Sequence, residues 1–131
     1  MKRRGAAHPY ECLSRVDLVD REILTGMKES GCFRIWYGAE SGSQKVLDSM
    51  TKGTTVEQVR TAARITQEVG MQAGFFILLG YPDERTADIR KTINLLKETK
   101  PDVFGTSVAF PMKGTEFYKR VHDRIIPNEN W

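Results

Sequence analysis

The stretch RIWYGAESGSQKVLDSMTKGTTVEQV, residues 34–59, decides how the rest of the chain is organised. It predicts a short apolar strand over residues 33–37 that breaks at Gly38 and leads into a polar turn, residues 38–43. A short helix and then a longer one follow. In α/β proteins, ligands bind where strands end and such loops begin. The carboxylate and hydroxyls of this turn therefore mark a candidate site for a polar small molecule.

Length and composition are those of an ordinary single domain. The chain has 131 residues, of which 40% are hydrophobic and 28% charged, enough to build a real core. The net charge is only +3, without a basic stripe interleaved with aromatic side chains, so we expect no nucleic-acid partner. No apolar run approaches the ~20 residues of a membrane span, and no secretory signal opens the chain. We therefore expect a cytoplasmic protein without membrane contact.

The sequence predicts neither a metal site nor a catalytic triad within the chain. Cys12 and Cys32 are too few and too far apart to form a zinc or iron–sulfur site, and we expect reduced thiols. His8 and His122 have no acid or cysteine at ligand spacing, so both are interpreted as surface residues. No Ser/His/Asp arrangement and no glycine-rich phosphate loop is found.

Strands and helices are predicted to alternate along the chain. The run MQAGFFILL, residues 71–79, is typical of a strand buried on both faces of a parallel sheet. Alternation predicts parallel strands joined by right-handed crossovers, either as a small doubly wound sheet or as part of a (β/α) barrel. Strands are predicted over residues 10–16, 33–37, 71–79 and 103–110, and helices from 17, from 44, from 54, over 86–99 and over 116–121.

Four short pieces of the chain match a known pattern in order and in spacing. Together they resemble the radical S-adenosylmethionine (radical SAM) family, in particular the cobalamin-associated branch with the anaerobic magnesium-protoporphyrin IX monomethyl ester cyclases. The resemblance covers residues 10–121, nearly the whole chain. The pieces are Arg15-x-Asp17, GAESGSQKVLDSMTKG at 38–53, LGYPDE at 79–84 and PMKGTEFY at 111–118.

The resemblance implies a partial (β/α) barrel of about four βα units, from the C-terminal part of the catalytic barrel. The barrel would occupy residues 10–122, between an unstructured edge at 1–9 and a tail at 123–131. Within it, Glu40 would contact the ribose of SAM, and Ser41 would support that turn. Lys52 would meet the methionine carboxylate of SAM.

The resemblance also assigns roles to other loops at the ends of strands. Arg15 would point toward the same ligand, and the backbone around Leu78 and Gly80 would flank the adenine. The cluster motif C-x-x-x-C-x-x-C is absent from the chain, so the ligands of the [4Fe-4S] cluster, and any cobalamin domain, would lie outside it. Asp83 replaces a family glycine, which would permit a positive φ more easily than aspartate does.

The same residues also have ordinary structural interpretations. Glu40 could simply be a surface acid beside the short helix that follows, with Ser43 as the N-cap of that helix. Lys52 suits a helix C-terminus on charge alone. Arg15 could be a surface arginine in a salt bridge.

We interpret the chain as part of a radical SAM parent enzyme that cleaves SAM reductively and modifies or methylates a small organic substrate. The chain alone is expected to be inactive, since the rest of the parent polypeptide would hold the cluster. The alternatives are a non-catalytic α/β fragment and a partner-binding module of flavodoxin-like layout. A half-barrel exposes a strand edge and an apolar inner face, which predicts self-association.

Overall fold

The computed structural model describes residues 8–126, so most of the predicted edge at 1–9 and tail at 123–131 lies outside the described residues. Four strands and five α-helices follow one another in the order β-α-β-α-α-β-α-β-α. The strands are β1 (Tyr10–Ser14), β2 (Cys32–Glu40), β3 (Gln72–Leu79) and β4 (Val103–Val108), and the helices are α1 (Arg21–Glu29), α2 (Gln44–Ser49), α3 (Val56–Glu68), α4 (Thr86–Thr99) and α5 (Glu116–Val121).

The four strands form one parallel sheet in the spatial order β1-β2-β3-β4, the same as their order in the chain. In the register of this sheet, Ile35 of β2 lies between Cys12 of β1 and Ala73 of β3. A doubly wound sheet reverses its strand order at a switch point, whereas these strands add one after another in one direction. This is the order of a barrel segment, and it confirms the predicted partial (β/α) barrel.

One face of the sheet, the outer face, carries the hydrophobic core. Side chains that alternate along β2 and β3 point to this face, and they are buried against α1, α3 and α4. Tyr37 is fully buried there and its hydroxyl bonds that of Thr66 at 2.8 Å, while Trp36 lies on the opposite face. Large, fully buried members of the core include Leu24, Ile35, Tyr37, Val59, Phe75, Ile77 and Leu95.

The two cysteines lie on the core side of the sheet, and both are free thiols. Burial, with the neighbouring Cys12 thiol, raises the pKa of Cys32 to about 11. The neutral thiol of Cys32 therefore packs as a small hydrophobic group. The redox state of the two thiols in the cell stays a prediction.

The opposite face of the sheet, the inner face, is open in the described part of the chain. Phe76 points to this face and remains 40% exposed, and Gln72 is exposed at its lower end. The prediction that residues 71–79 are buried on both faces is therefore wrong for the inner face. The cause is that α1, α3 and α4 all pack on the other side of the sheet.

Several predicted boundaries shift in the structure. Strand β2 does not break at Gly38 but continues to Glu40. Strand β1 ends at Ser14, and a short 3-10 turn over residues 16–18 precedes α1. The helix predicted from residue 17 begins only at Arg21, because the Asp20 carboxylate caps it by accepting a hydrogen bond from the Ile23 N–H at 2.8 Å.

Other predicted boundaries are confirmed. Helices α4 and α5 have their predicted bounds. Helix α3 begins at Val56, close to the predicted start at residue 54, after a capping box of Thr55 and Gln58. Gly31 follows Ser30, the C-cap of α1, with a φ of 105° that only glycine adopts readily. Within residues 8–126, no helix has the length and apolar character needed to cross a membrane.

Candidate cofactor-binding site

A cleft of about 520 Å³ opens on the inner face, at the carboxyl ends of β1 and β2. Its polar wall contains three of the side chains that the sequence selected, Arg15, Glu40 and Lys52. Trp36 and Phe76 form its apolar floor. Parallel strands bring their carboxyl ends to one edge of a sheet, which is where ligands bind in this class of fold.

Glu40 occupies an irregular position at the end of β2. Gly38 pairs with Phe76 of β3 and Glu40 pairs with Ile77, so Ala39 is an extra residue in β2 and forms a bulge. The φ of Glu40 is 59°, and a tight turn closes around it, in which the Ser41 N–H donates to the Ala39 carbonyl at 2.7 Å. This bulge and turn direct the Glu40 carboxylate into the cleft.

Glu40 and Lys52 form an ion pair directly above Gly38. The Lys52 ammonium donates to Glu40 Oε1 at 2.5 Å, and both side chains are about three-quarters buried, at 25% and 20% exposure. A Cβ at position 38 would lie 2.8 Å from each of the two paired atoms, so a side chain there would displace the ends of the pair. The two charges therefore stand side by side at one point of the cleft.

Arg15 lies just beyond β1 and is already engaged. Its guanidinium donates twice to the Asp17 carboxylate, at 2.9 Å each, and once to the Lys52 carbonyl at 3.3 Å. This pairing holds the pKa of the Asp17 carboxyl below its ordinary value. Arg15 thus supports the backbone of the loop that carries Lys52, while its side chain also lines the cleft.

Ser41 and Ser43 point away from the cleft and are fully buried against α4. Ser41 contacts the Thr92 hydroxyl at 3.2 Å. Ser43 occupies the N-cap position of α2, as predicted, but its hydroxyl makes no capping bond. It donates to Asp88 Oδ1 at 2.7 Å, a bond to a charged acceptor that turns the hydroxyl toward α4.

Asp88 is a buried carboxylate that the sequence did not select. Bonds from the Ser43 hydroxyl and the Arg85 backbone N–H lower its pKa to about 2. Its partner Ser43 lies 45 positions away in the chain, and no local sequence motif predicts such a contact. An aspartate in the first turn of a helix is expected because its charge interacts favourably with the helix dipole. The sequence therefore gives no sign of this second role.

The floor of the cleft is held by a network of contacts. The Trp36 ring covers Gly74, where a Cβ would lie 2.8 Å from the indole, and stacks on Phe76 with centroids 4.7 Å apart. The indole N–H donates to Glu11 Oε2 at 3.0 Å. Arg34 donates to the same oxygen at 3.0 Å and fixes the base of the network.

Three curated relatives show what the chain is similar to. An uncharacterized methyltransferase of Pyrococcus horikoshii is 27% identical over 132 residues, 100% of this chain and 29% of that protein. A Methanocaldococcus jannaschii protein, named provisionally as a methylthiotransferase, is 34% identical over 102 residues, 78% of the chain and 23% of its own length. The anaerobic magnesium-protoporphyrin IX monomethyl ester cyclase of Rubrivivax gelatinosus is 21% identical over 108 residues, 82% of the chain and 20% of the cyclase. No family model matches the chain.

Solved structures share the fold. Coproporphyrinogen III oxidase (HemN) of Escherichia coli, described as a radical SAM enzyme, superposes with a TM-score of 0.74 at 14% identity, over 82% of this chain and 25% of HemN. The radical SAM methyltransferase TsrM of Kitasatospora setae, with cobalamin and a [4Fe-4S] cluster bound, gives 0.69 at 20% identity, over 76% of this chain and 20% of TsrM. The chain shares its fold with these radical SAM enzymes and is similar in sequence to the methyltransferase, the methylthiotransferase and the cyclase.

The family resemblance predicted from the four motifs is confirmed, including its cobalamin-associated and cyclase relatives. The chain spans 20–29% of the length of the three curated relatives. Similar proteins also include a tRNA-2-methylthio-N(6)-dimethylallyladenosine synthase of Thermosipho africanus, 27% identical over 109 residues. The expected absence of a nucleic-acid partner therefore stays a prediction.

In the structure, the predicted cofactor residues fall into two groups. Arg15, Glu40 and Lys52 meet in the cleft, whereas Ser41 is buried behind it. Leu78 and Gly80 lie at the end of β3, outside the cleft wall, where the Gly80 N–H donates to Glu84 Oε2 at 2.6 Å. Among the described residues, no group of three or more His, Cys, Asp or Glu side chains could hold a metal ion.

The turn after Gly80 contains the position at which the sequence departs from the family pattern. Asp83, which replaces a family glycine, has a φ of 66°. The chain therefore makes the left-handed turn with aspartate, one of the few other residues that adopt this conformation. Lys45 supports this turn by donating to the Asp83 carbonyl at 2.9 Å.

Proposed function

We propose that this chain forms the SAM-binding side of the catalytic barrel in a larger radical SAM protein. That protein would cleave SAM reductively and modify or methylate a small organic substrate. The observation that supports this proposal most directly is the Glu40–Lys52 ion pair above Gly38, at the ligand-binding edge of a radical SAM sheet.

The chemistry of the cleft suits the charges and polar groups of SAM. Carboxylate oxygens accept hydrogen bonds from a ribose diol, and an ammonium group pairs with a methionine carboxylate. Glu40 is assigned to the first contact and Lys52 to the second. Lys52 would exchange the Glu40 carboxylate for the methionine carboxylate, and Glu40 would accept hydrogen bonds from the ribose hydroxyls in place of the ammonium. The volume of about 520 Å³ lies in the range typical of small-molecule sites.

The remaining assignments follow the family pattern. Arg15 is proposed to act near the same ligand while its bond to the Lys52 carbonyl holds the Lys52 loop in place. The backbone at Leu78 and Gly80 is proposed to flank the adenine, and Ser41 to support the Glu40 turn from behind. We assign no catalytic side chain to the chain itself.

The cofactors proposed for the whole protein are SAM, a [4Fe-4S] cluster and, in the cobalamin-associated branch, cobalamin. When bound, the cluster supplies the electron that cleaves SAM and so generates a carbon radical. The cluster and cobalamin ligands are proposed to lie in the rest of the parent polypeptide, which is thereby a partner of this chain. On this basis, we expect the isolated chain to be inactive. A cytoplasmic location is part of the same proposal.

The assignment of Glu40 can be tested in the full-length protein, reconstituted under anaerobic conditions. We expect Glu40→Gln to raise the Kd for SAM about 10-fold or more, since the ribose hydroxyls would donate to a neutral amide oxygen and not to a carboxylate. The measurements are SAM affinity by equilibrium dialysis and 5′-deoxyadenosine production. Glu22→Gln, an exposed glutamate on α1, is the matched control and should leave both unchanged.

An unchanged SAM affinity in Glu40→Gln would remove the ribose assignment. Absence of 5′-deoxyadenosine from the wild-type protein, in spite of SAM binding and an intact cluster, would favour the alternative of a non-catalytic α/β module. The two results separate the binding site from the reaction.

A further inference from the structure

The Glu40 turn has a backbone that cannot hold its shape by local interactions alone. Glu40 has a φ of 59° and follows a bulge in β2. The left-handed conformation is unfavourable for a residue with a Cβ and persists only where the surroundings impose it. The direction of the Glu40 carboxylate therefore depends on whatever fixes the residues that follow it.

The residues after Glu40 are fixed by α4 through a buried set of hydrogen bonds. The Gly42 N–H donates to the Thr92 hydroxyl oxygen at 2.9 Å, and the Thr92 hydroxyl donates to the Asp88 carbonyl at 3.2 Å. Since the single Thr92 proton is used there, Ser41 donates to Thr92 at 3.2 Å. The Ser41 oxygen in turn accepts from the Ser43 N–H at 3.1 Å.

Thr92 is the centre of this set, because its hydroxyl joins two successive residues of the turn to the helix. It is only 2% exposed. The turn also lies against the backbone of α4, since a Cβ on Gly42 would come within 2.4 Å of the Lys91 carbonyl oxygen. The turn and α4 are therefore in direct backbone contact, with Thr92 as the side chain that sets their alignment.

We infer that Thr92 is a positioning residue for ligand binding: it does not touch the ligand but sets the direction in which Glu40 meets it. This inference rests on the proposed role of Glu40. It implies that Thr92 matters for SAM affinity only as long as the Glu40 carboxylate is present. A residue of purely structural importance would weaken binding to the same degree with or without that carboxylate.

The test is a double-mutant cycle in the reconstituted full-length protein, with the Kd for SAM as the readout. Thr92→Val keeps the shape of the side chain and removes the hydroxyl. We expect it to raise Kd about 10-fold in the wild-type background and less than about 2-fold in the Glu40→Gln background. Thr92→Ser retains the hydroxyl and should restore affinity to near that of the wild type.

The matched control is Thr99→Val on the same helix. Thr99 also donates its hydroxyl to a carbonyl four residues earlier, that of Leu95, at 2.7 Å, but it lies outside the turn. We expect no change in Kd for this variant. If Thr92→Val does not fold, Ser41→Ala, which removes the bond between Ser41 and Thr92 alone, is measured in both backgrounds instead.

Each outcome has a distinct meaning. Equal effects of Thr92→Val in both backgrounds, or no effect in either, would overturn the positioning role while leaving the Glu40 assignment intact. If Glu40→Gln alone leaves Kd unchanged, the proposed ribose contact fails first, and the role of Thr92 fails with it.

Discussion

Two glycines on the inner face leave space that neighbouring side chains occupy. Gly38 leaves room for the Glu40–Lys52 ion pair, and Gly74 lets the Trp36 ring lie directly on the backbone of β3. In both cases a Cβ would stand 2.8 Å from a neighbouring side chain. The aromatic floor of the cleft therefore depends on one missing methyl group, whereas the neighbours of Gly38 are the flexible ends of two long side chains.

Gly74→Ala tests this dependence at the floor of the cleft. The added methyl would overlap the Trp36 ring, which its bond to Glu11 holds in place. We expect the free energy of unfolding, measured by urea denaturation, to fall by about 1–3 kcal/mol, as is usual when a packed site is overfilled.

The control for Gly74→Ala is Gly105→Ala, on the same face of the adjacent strand β4. A Cβ at Gly105 would meet only Phe76, at an ordinary contact distance of 3.9 Å. This variant should be neutral or slightly stabilising, because alanine restricts the unfolded chain more than glycine does. Equal losses for both variants would mean that the contact with Trp36 is not the cause.

At the scale of elements, α4 connects the fold to the site. Its first turn presents Asp88 to Ser43, and its middle presents Thr92 to the turn after Glu40. Lys45 and Lys91 also approach the Asp88 carboxylate, at 3.7 and 3.5 Å. Helix α4 thus holds the loop after β2 in place through the ionised carboxylate of Asp88 and the hydroxyl of Thr92.

Asp88 gives this attachment a defined dependence on pH. Its pKa is lowered from 3.8 to about 2 in the folded protein, so its stabilising contribution is complete above pH 3.8 and is lost as the pH falls toward 2. We expect Asp88→Asn to lower the urea midpoint at pH 6. The gap from the wild type should close between pH 3.8 and 2.

Asp48→Asn, at an exposed position of α2, serves as the control for Asp88→Asn. It should leave the urea midpoint close to that of the wild type at every pH. A gap for Asp88→Asn that stays constant down to pH 2 would show that the carboxylate is not the source of the stability.

The sequence predicts elements well where the signals are local. The bounds of α4 and α5, and the start of α3 close to residue 54, follow from side chains within a few residues. The sequence-based prediction fails where contacts with residues distant in the chain determine the structure. Strand β2 passes Gly38 because its neighbour β3 continues to pair with it, and a glycine alone is read as a break.

The residues of the site also fall into those that local sequence signals indicate and those that only distant contacts reveal. Glu40, Lys52 and Arg15 stand out in the sequence because they belong to strand-end motifs, and they do meet in one cleft. Thr92 and Asp88 do not stand out, since ordinary helical threonines and first-turn aspartates look the same. Their role depends on contacts with residues about fifty positions away, which only the fold brings together.

For the whole molecule, the main feature is a sheet with one face covered by α1, α3 and α4 and the other face open. Strand β4 is the last strand of the described sheet. Apolar side chains near it remain exposed, Val108 at 75% and Phe110 at 72%. Exposed strand edges with apolar neighbours favour pairing with another chain.

We therefore expect the isolated chain to self-associate, as the sequence also predicts. Analytical ultracentrifugation should show dimers or larger species that increase with concentration. Val108→Lys should reduce them, since charged side chains on edge strands oppose pairing. A wild-type chain that stays monomeric at high concentration would contradict this expectation.

The stacked indole in the floor of the cleft has a practical consequence. The sequence contains two tryptophans, Trp36 and Trp131. Because the Trp36 ring borders the cleft and donates its N–H to Glu11, we expect its fluorescence to change when a ligand enters. With Trp131 replaced by phenylalanine, this chain carries a single tryptophan, in the floor of its candidate site, and selective excitation of that tryptophan should report occupancy without any attached dye.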